Sequence, residues 1–422
     1  MNVWGYRCLT SLAYPVLFPW LAWKYREGLS ERRGYYRPEI VRLGGRRPFW
    51  IHAVSVGEVQ SALPLVRAMR RESYRGPILL STITSTGKAM ANQELKPLVD
   101  AHIYYPWDVP GVVRRALDRL SPRVYTVMET EIWPNLLLEL KKREIPAYMV
   151  NARVSEKTFR RALRNRDFWS AILGTFRGIF ARSPEDEARI LEIGADPARV
   201  FRVGDAKVDA LFERRRKSDR SSLDPVLQGA GPVLVAGSTH PGEEETVLSA
   251  FAEVKKVLPA SRLVLAPRHP ERAEAVLELA AEPGRACLLS KWAPGWTILV
   301  VDRIGVLFDL YGRSDAAFIG GSLVPKGGQN LLEPLAWGVP AFHGPHMEDF
   351  QDLARQANEW GLTGTVEGPG QLATAWIESL SAPAKTREEF ARRCEVFLDS
   401  VGGASGKTWE KIEADNKNIL WE

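Results

Sequence analysis

The sequence predicts an α/β protein made of two successive doubly wound parallel sheets, preceded by an apolar, aromatic-rich segment. Three observations carry this. Short apolar runs ending in polar turns alternate with segments of helical period, at the spacing of βαβ units. Polar side chains recur at the carboxyl ends of the expected strands, where parallel sheets hold their ligands. A polar, glycine-containing stretch near the middle separates one such series from a second. With 422 residues, 45% hydrophobic and 26% charged, the chain has ordinary globular composition and room for about two to three domains.

Residues 1–26 read as a membrane anchor or interfacial hairpin. Cys8 to Trp23 carries no charge and mixes Tyr14, Trp20 and Trp23 with aliphatic residues, while Pro15 and Pro19 interrupt it. Such a run is short of the roughly 20 residues a span needs, and aromatic rings prefer the bilayer interface. A cleaved signal peptide fits poorly, because only Arg7 precedes the apolar core and no A-x-A-like site follows. A buried amino-terminal helix is the other alternative. Net charge is +6, and from Lys24 to Arg47 basic residues outnumber acidic ones. Beside an apolar segment, that excess is read as lying at the cytoplasmic leaflet rather than as a nucleic-acid footprint.

Residues 27–204 form the first domain. The apolar run Pro48–Ile51 is a strand that turns through Ser55-Val56-Gly57 into a helix with Glu58 on its first turn. There the unpaired N–H groups and the dipole favour a carboxylate, and Gly57 permits close backbone approach. Glu58 is therefore a candidate general base. Ser55 and Glu58 also match the S-x-x-E capping box, in which the glutamate only satisfies a backbone donor, and from this stretch alone capping comes first. Further strands are expected at 77–84, 101–105, 123–128 and 147–150, with a last one at 178–183. Their carboxyl ends carry Thr84 and Ser85, Glu129 and Glu131, and Asn151 and Arg153. Four polar clusters in a row on one rim point to a site. If the backbone stays extended, Glu129 and Glu131 leave the same face; a turn would part them. The basic run Arg160, Arg161, Arg164 and Arg166 is by default a solvated helix face, and by the sharper reading a contact for an anionic acceptor.

Residues 205–231 are read as a linker, with the charged run Glu213–Lys217 and Gly229. The second domain, 232–400, opens with the strand Pro232–Ala236, ending in Gly237-Ser238-Thr239-His240 and followed by three successive glutamates at a helix start. The strand 262–266 ends in Arg268 and His269, and 316–319 ends in Gly320-Gly321-Ser322. Gly327-Gly328-Gln329-Asn330 then enters an expected helix, Leu331–Trp337, that carries Glu333. Glycine-rich turns at strand ends and a helix start suit a nucleotide phosphate, to which Arg268 and His269 add a cation and a donor. Asn330 is equally an N-cap with Glu333 as its box partner. The tail reads as helical with a break near Pro383, its last helix packing back on the first half, and 401–422 is a separate terminal segment.

Cys8, Cys287 and Cys394 are far apart and form no C-x-x-C, so neither a disulfide framework nor structural zinc is expected. Five histidines (His52, His240, His269, His343, His346) sit at or just past strand ends without metal spacing, and no D-x-D occurs. They are read as polar donors and the site as metal-free.

The motifs permit a closer match. His-Ala-Val-Ser-Val-Gly-Glu (52–58), Met-Glu-Thr-Glu-Ile-Trp-Pro-Asn (128–135), Asn-Ala-Arg-Val-Ser (151–155), Pro-Arg-His-Pro-Glu-Arg (267–272), Gly-Gly-Ser (320–322) and Gly-Gly-Gln-Asn-Leu-Leu-Glu-Pro (327–334) resemble, in order, the bacterial lipid A Kdo (3-deoxy-D-manno-octulosonic acid) transferases. The resemblance implies a GT-B glycosyltransferase with two Rossmann-like domains facing a central cleft. It implies inverting transfer of Kdo from CMP-Kdo to a lipid A precursor (lipid IVA) in lipopolysaccharide core synthesis. The enzyme would need no metal or cofactor and no nucleic-acid partner, and would sit on the cytoplasmic side of the inner membrane. Glu58 aligns with the family's catalytic base, reversing the order of the two readings above. Glu129 and Lys207 match transition-state stabilisers, although Gly-Asp-Ala precedes Lys207 where the family more often has Asn-Leu. Arg268, His269, Gly320, Gly321, Ser322, Asn330, Leu331, Leu332 and Glu333 match the CMP-binding segments. The other polar groups of the first rim, with Gly57, are the acceptor-binding candidates: Ser55, Gly57, Glu131, Asn151 and Arg153. A UDP-sugar epimerase of similar architecture and a non-catalytic, membrane-tethered nucleotide-sugar binder are the competing readings.

Overall fold

The computed structural model describes residues 2–72, 74–229, 231–280 and 286–421, the side chains of Arg220 and Ser222 apart. Met1 of the expected anchor, Ala230 of the expected linker and Glu422 of the expected tail lie outside the described residues. The chain divides into two compact units, Met1–Ala210 with Val401–Glu422, and Leu211–Ser400.

The sheet of the first unit has seven parallel strands: β1 (Phe49–His52), β2 (Ile78–Thr82), β3 (Ala101–Tyr104), β4 (Val124–Met128), β5 (Ala147–Ala152), β6 (Gly178–Ala181) and β7 (Val200–Arg202). Their order is β3-β2-β1-β4-β5-β6-β7, with Ile51 of β1 opposite Leu80 on one side and Thr126 on the other. Helices cover both faces, so β1, β2 and β4 are buried along their whole length, as their unbroken apolar runs require. The order reverses between β1 and β4, the switch point where such sheets open a crevice. The run 178–183 is not the last strand: β7 pairs beyond β6, its three residues too few for a periodic signal.

The sheet of the second unit also has seven parallel strands: β8 (Val233–Thr239), β9 (Arg262–Pro267), β10 (Ala286–Leu288), β11 (Ile298–Val300), β12 (Ala316–Ile319), β13 (Ala341–His343) and β14 (Thr363–Thr365). The order β10-β11-β9-β8-β12-β13-β14 places its switch point between β8 and β12.

Three expectations are corrected. The supposed linker begins as a helix, Ala206–Lys217, and the division falls within it, between Ala210 and Leu211. Most of its residues are strong helix formers and none is glycine or proline, so the charged run is a helix surface rather than a flexible tether. Residues 401–422 are part of the first unit: Trp409, Ile412 and Leu420 lie in the same buried cluster as Phe49 and Tyr74. In the amino-terminal segment, Pro15 and Pro19 do not interrupt the helix, which runs Val3–Lys24.

One face of that helix docks on the first unit. Tyr6 Oη donates to Asp108 at 3.0 Å, Thr10 accepts from Asn135, and Tyr14 and Phe18 meet Trp107 edge-on. The other face leaves Trp4 76% and Val16 79% exposed, with Leu9, Leu12, Trp20 and Trp23 beside them. Among the described residues, no helix is long and apolar enough to cross a membrane. The basic stretch after it is not uniformly a surface. Arg32 is buried, donates to the Ile83 carbonyl at 2.6 Å and lies 4.3 Å over the Tyr104 ring.

Candidate active site

In the first unit the rim is built by consecutive strand ends. After β1 the chain turns at Ser55 into the helix Val56–Arg71, whose inward face carries Val59, Leu63, Val66 and Met69. That packing fixes the first turn and Glu58 with it. Glu58 is only 7% exposed, and its Oε2 accepts from the Val54 amide at 2.8 Å while Oε1 lies 3.4 Å from Ser55 Oγ. The capping box is therefore half formed. The Ser55 side chain caps nothing, and the glutamate reaches back one residue further than the box requires. Burial pushes the Glu58 carboxyl up to about 8, with the Glu131 and Glu129 charges adding to the rise against the bonds from Val54 and Ser55. A carboxyl that binds its proton near neutral pH is matched to proton transfer. A Cβ on Gly57 would meet nothing within 4 Å, so the surface there is open.

After β4 the backbone does not stay extended. Glu129 has φ +54, left-handed, and the chain turns there. The turn does not isolate the carboxylates: burial raises the Glu131 carboxyl and Glu129 raises it further. Lys207 Nζ sits 3.2 Å from Glu129 Oε1, an ion pair joining the ends of β4 and β7. Asn151, the penultimate residue of β5, has φ +55 and is buried, with Oδ1 accepting from the Ala206 amide at 3.0 Å. It thus anchors the start of the helix that carries Lys207 and does not face outward as an acceptor contact. Arg153 is half-buried, and its carbonyl accepts from Thr130 Oγ1.

Several partners of this rim escaped the sequence reading. Arg182, after β6, pairs with Asp186 at 3.0 Å and Asp205 at 3.6 Å. Burial alone would lower its pKa, but Asp205 and Asp186 outweigh it and hold the guanidinium above its usual range. Asp205 Oδ1 also accepts from the Lys207 amide at 2.9 Å, so this buried cluster seats the lysine. Asn135, at the end of its motif, is structural: Asp108 accepts from the Asn135 and Leu136 amides at 3.0 and 2.9 Å. The exposed Arg160 pairs with Glu156 at 2.7 Å, the solvated-face arrangement.

In the second unit the rim is formed by the ends of β8, β9 and β12. Arg268 and His269 are exposed, and the His269 ring lies 6.2 Å from His240, edge to face. The glycine-rich turn is not the open amide cradle the sequence suggests. The amides of Gly321 and Ser322 are taken by Glu243, at 2.7 and 2.9 Å, and the Gly320 amide by the Gly237 carbonyl at 2.8 Å. Gly320 is needed because a Cβ there would stand 2.3 Å from the Ser238 carbonyl oxygen, and Gly321 because its φ is +68. Ser322 Oγ accepts from the Gly344 amide at 2.8 Å. All three residues hold the turn together.

The helix expected at Leu331–Trp337 is a single turn, Leu332–Leu335, too short for a substantial dipole, and the side chains of Leu331 and Leu332 are core. Asn330 Oδ1 caps the Leu332 amide at 3.2 Å. Glu333 lies 3.8 Å from Arg214, and burial raises its carboxyl against Arg214 and Asn330. Of the five histidines, two are not rim donors. His52 stacks on Tyr105 at 3.7 Å and burial pushes it down to about 3, while His343 is buried against the Gly344 carbonyl. Among the described residues, no group of three or more His, Cys, Asp or Glu side chains is arranged to hold a metal.

Comparison with known proteins adds the family. Residues 27–210 match the family described as 3-Deoxy-D-manno-octulosonic-acid transferase (kdotransferase). A 3-deoxy-D-manno-octulosonic acid transferase of Haemophilus influenzae is 31% identical over 386 residues, 90% of this chain and 89% of its own. One of Bordetella pertussis is 30% identical over 420 residues, 94% and 96% of the two chains. The chain belongs to the 3-deoxy-D-manno-octulosonic acid transferase family. Among solved structures, the UDP-GlcNAc 2-epimerase of Neisseria meningitidis bound to UDP-GlcNAc aligns with TM-score 0.61 at 13% identity, covering 86% of this chain and 99% of that one. The glycotransferase of kitacinnamycin aligns with TM-score 0.53 at 15%, covering 87% and 99%. Both likenesses concern the fold alone: this 3-deoxy-D-manno-octulosonic acid transferase family member has the architecture of GT-B-like proteins, with two parallel sheets flanked by helices.

Proposed function

We propose that the protein transfers Kdo from CMP-Kdo to a sugar hydroxyl of a lipid A precursor, with inversion and without a metal. The observation that carries the reading is the rim of the first unit. A buried glutamate whose carboxyl is raised to about 8 stands there with a second glutamate paired to a lysine at 3.2 Å. Glu58 takes the proton from the attacking hydroxyl; a bond forms from that oxygen to the anomeric carbon as the bond to the CMP phosphate oxygen breaks. The Lys207–Glu129 pair places a positive charge where negative charge builds on the departing phosphate or lies on the sugar carboxylate. In the second unit Arg268 and His269 meet the phosphate of CMP, and Glu333 accepts from ribose hydroxyls.

The exposed apolar face of the helix Val3–Lys24 supports a place on the membrane surface rather than across it, where the acceptor resides. The reading puts that surface on the cytoplasmic side of the inner membrane. Incubating the purified protein with CMP-Kdo and lipid IVA and weighing the lipid product by mass spectrometry tests the activity. A gain of one or more Kdo masses with release of CMP is expected. Epimerised or untouched nucleotide sugar, with unchanged lipid, would sink the proposal.

A further inference from the structure

Glu243 lies in the loop between β8 and the helix Glu244–Val257, and it is 0% exposed. One carboxylate oxygen accepts from the amides of His240 at 2.9 Å and Gly321 at 2.7 Å; the other accepts from Ser322 and Leu323, both at 2.9 Å. Backbone amides converging on one point form an anion nest, the device that takes up phosphate in many nucleotide folds. This nest bridges the ends of β8 and β12, the switch point of the second sheet, where ligands of doubly wound sheets sit. Here the anion is the chain's own. The surrounding turn leaves no room for a second occupant, since Gly320 is pressed against the Ser238 backbone and Gly344 against the Ser322 carbonyl.

We infer that Glu243 is a specificity-determining residue that limits the donor to one phosphate. It fills the nest with a negative charge, so a nucleoside diphosphate finds its second phosphate repelled and its amide donors already used. Reaching the amides would require expelling the carboxylate, which would leave a buried charge without partners. A nucleoside monophosphate ester needs only the cation and donor exposed beyond β9, Arg268 and His269. The inference rests on reading the second unit as the nucleotide-binding one.

The test compares the full-length wild type with Glu243→Ala and Glu243→Gln. CMP and CDP binding are measured by calorimetry, and melting temperature with and without inorganic phosphate. The wild type is expected to prefer CMP and to ignore phosphate in its melting. Glu243→Ala should gain about tenfold or more in CDP affinity relative to CMP, the worth of one or two charge-assisted bonds. Phosphate should raise its melting temperature, and a variant that folds only when phosphate is supplied supports the same conclusion. If Glu243→Ala does not fold in either condition, Glu243→Gln decides, because it keeps the shape and removes the charge. A folded variant with the wild-type CMP-to-CDP ratio and no response to phosphate overturns the inference alone. A wild type that binds neither nucleotide overturns the nucleotide reading of the second unit, whatever the variants do.

Discussion

Replacing Glu58 by Gln keeps the shape of the side chain and removes both its charge and its capacity to take a proton. Two independent effects follow. The first is kinetic: loss of a general base typically costs about 10²–10⁴ in rate, so kcat should fall by that much while CMP binding is kept. The second is thermodynamic and runs the other way. The Glu58 carboxyl stands at about 8 in the folded protein against an ordinary value of 4.5. At about 1.4 kcal/mol per unit, ionising it in place costs roughly 4–5 kcal/mol, an upper bound because water admitted on ionisation lowers the cost. A folded pKa above the unfolded one means that the folded state holds the proton more tightly. The stability this brings is whole below about pH 4.5 and is lost as pH rises toward 8. Gln has no such slope. Urea unfolding at pH 5 and pH 9 should therefore show the variant gaining on the wild type at the higher pH, by up to about 4 kcal/mol. In activity, kcat/KM of the wild type should climb with pH through about 8. A Glu58→Gln enzyme within tenfold of normal turnover, or a stability difference that does not change with pH, would refute the reasoning.

On the proposed role of the lysine in offsetting charge that develops in the transition state, Lys207→Ala should lower kcat by about 10²–10³ with little change in CMP affinity. As its pair with Glu129 is partly exposed, the melting curve should move by less than about 1 kcal/mol. Asn151→Ala loses the bond to the Ala206 amide and leaves in the left-handed region a residue that tolerates it less well than Asn, about 2–3 kcal/mol together, whereas Asn151→Gly incurs only the first part. Equal unfolding midpoints for the two variants would show that the backbone conformation there carries no cost. Gly320→Ala should cost upwards of about 2 kcal/mol, read by urea unfolding, since its methyl group would meet the fixed Ser238 backbone.

Much of the rim was legible before the structure. A parallel sheet puts its ligands at strand ends, so Glu58, Glu129 and Glu131 could be placed from the apolar runs before them. The short strands β10, β11, β13 and β14 were not singled out, because runs of three residues carry no period and their pairing comes from neighbours distant in sequence. Glu243 was misread for a related reason. Three glutamates at a helix start look alike in sequence, and only the return of residues 321–323 beside them turns the first one inward. Asp205 likewise gains its role from Arg182, a partner more than twenty residues earlier. Motif resemblance located Lys207, which spacing alone did not single out.

The chain leaves the first unit at Ala210 and re-enters it at Val401, where the Val401 carbonyl accepts from Asp205 and Asp209 from the Gly403 and Ser405 amides. During synthesis, therefore, Phe49 and Tyr74 emerge long before Trp409, which finally covers them. At about 5–20 residues per second that delay is roughly 17–70 s. The half of the protein made first is thus the last to mature, and a disruption of the helix Ala404–Asp415 would be felt in the core beneath Glu58.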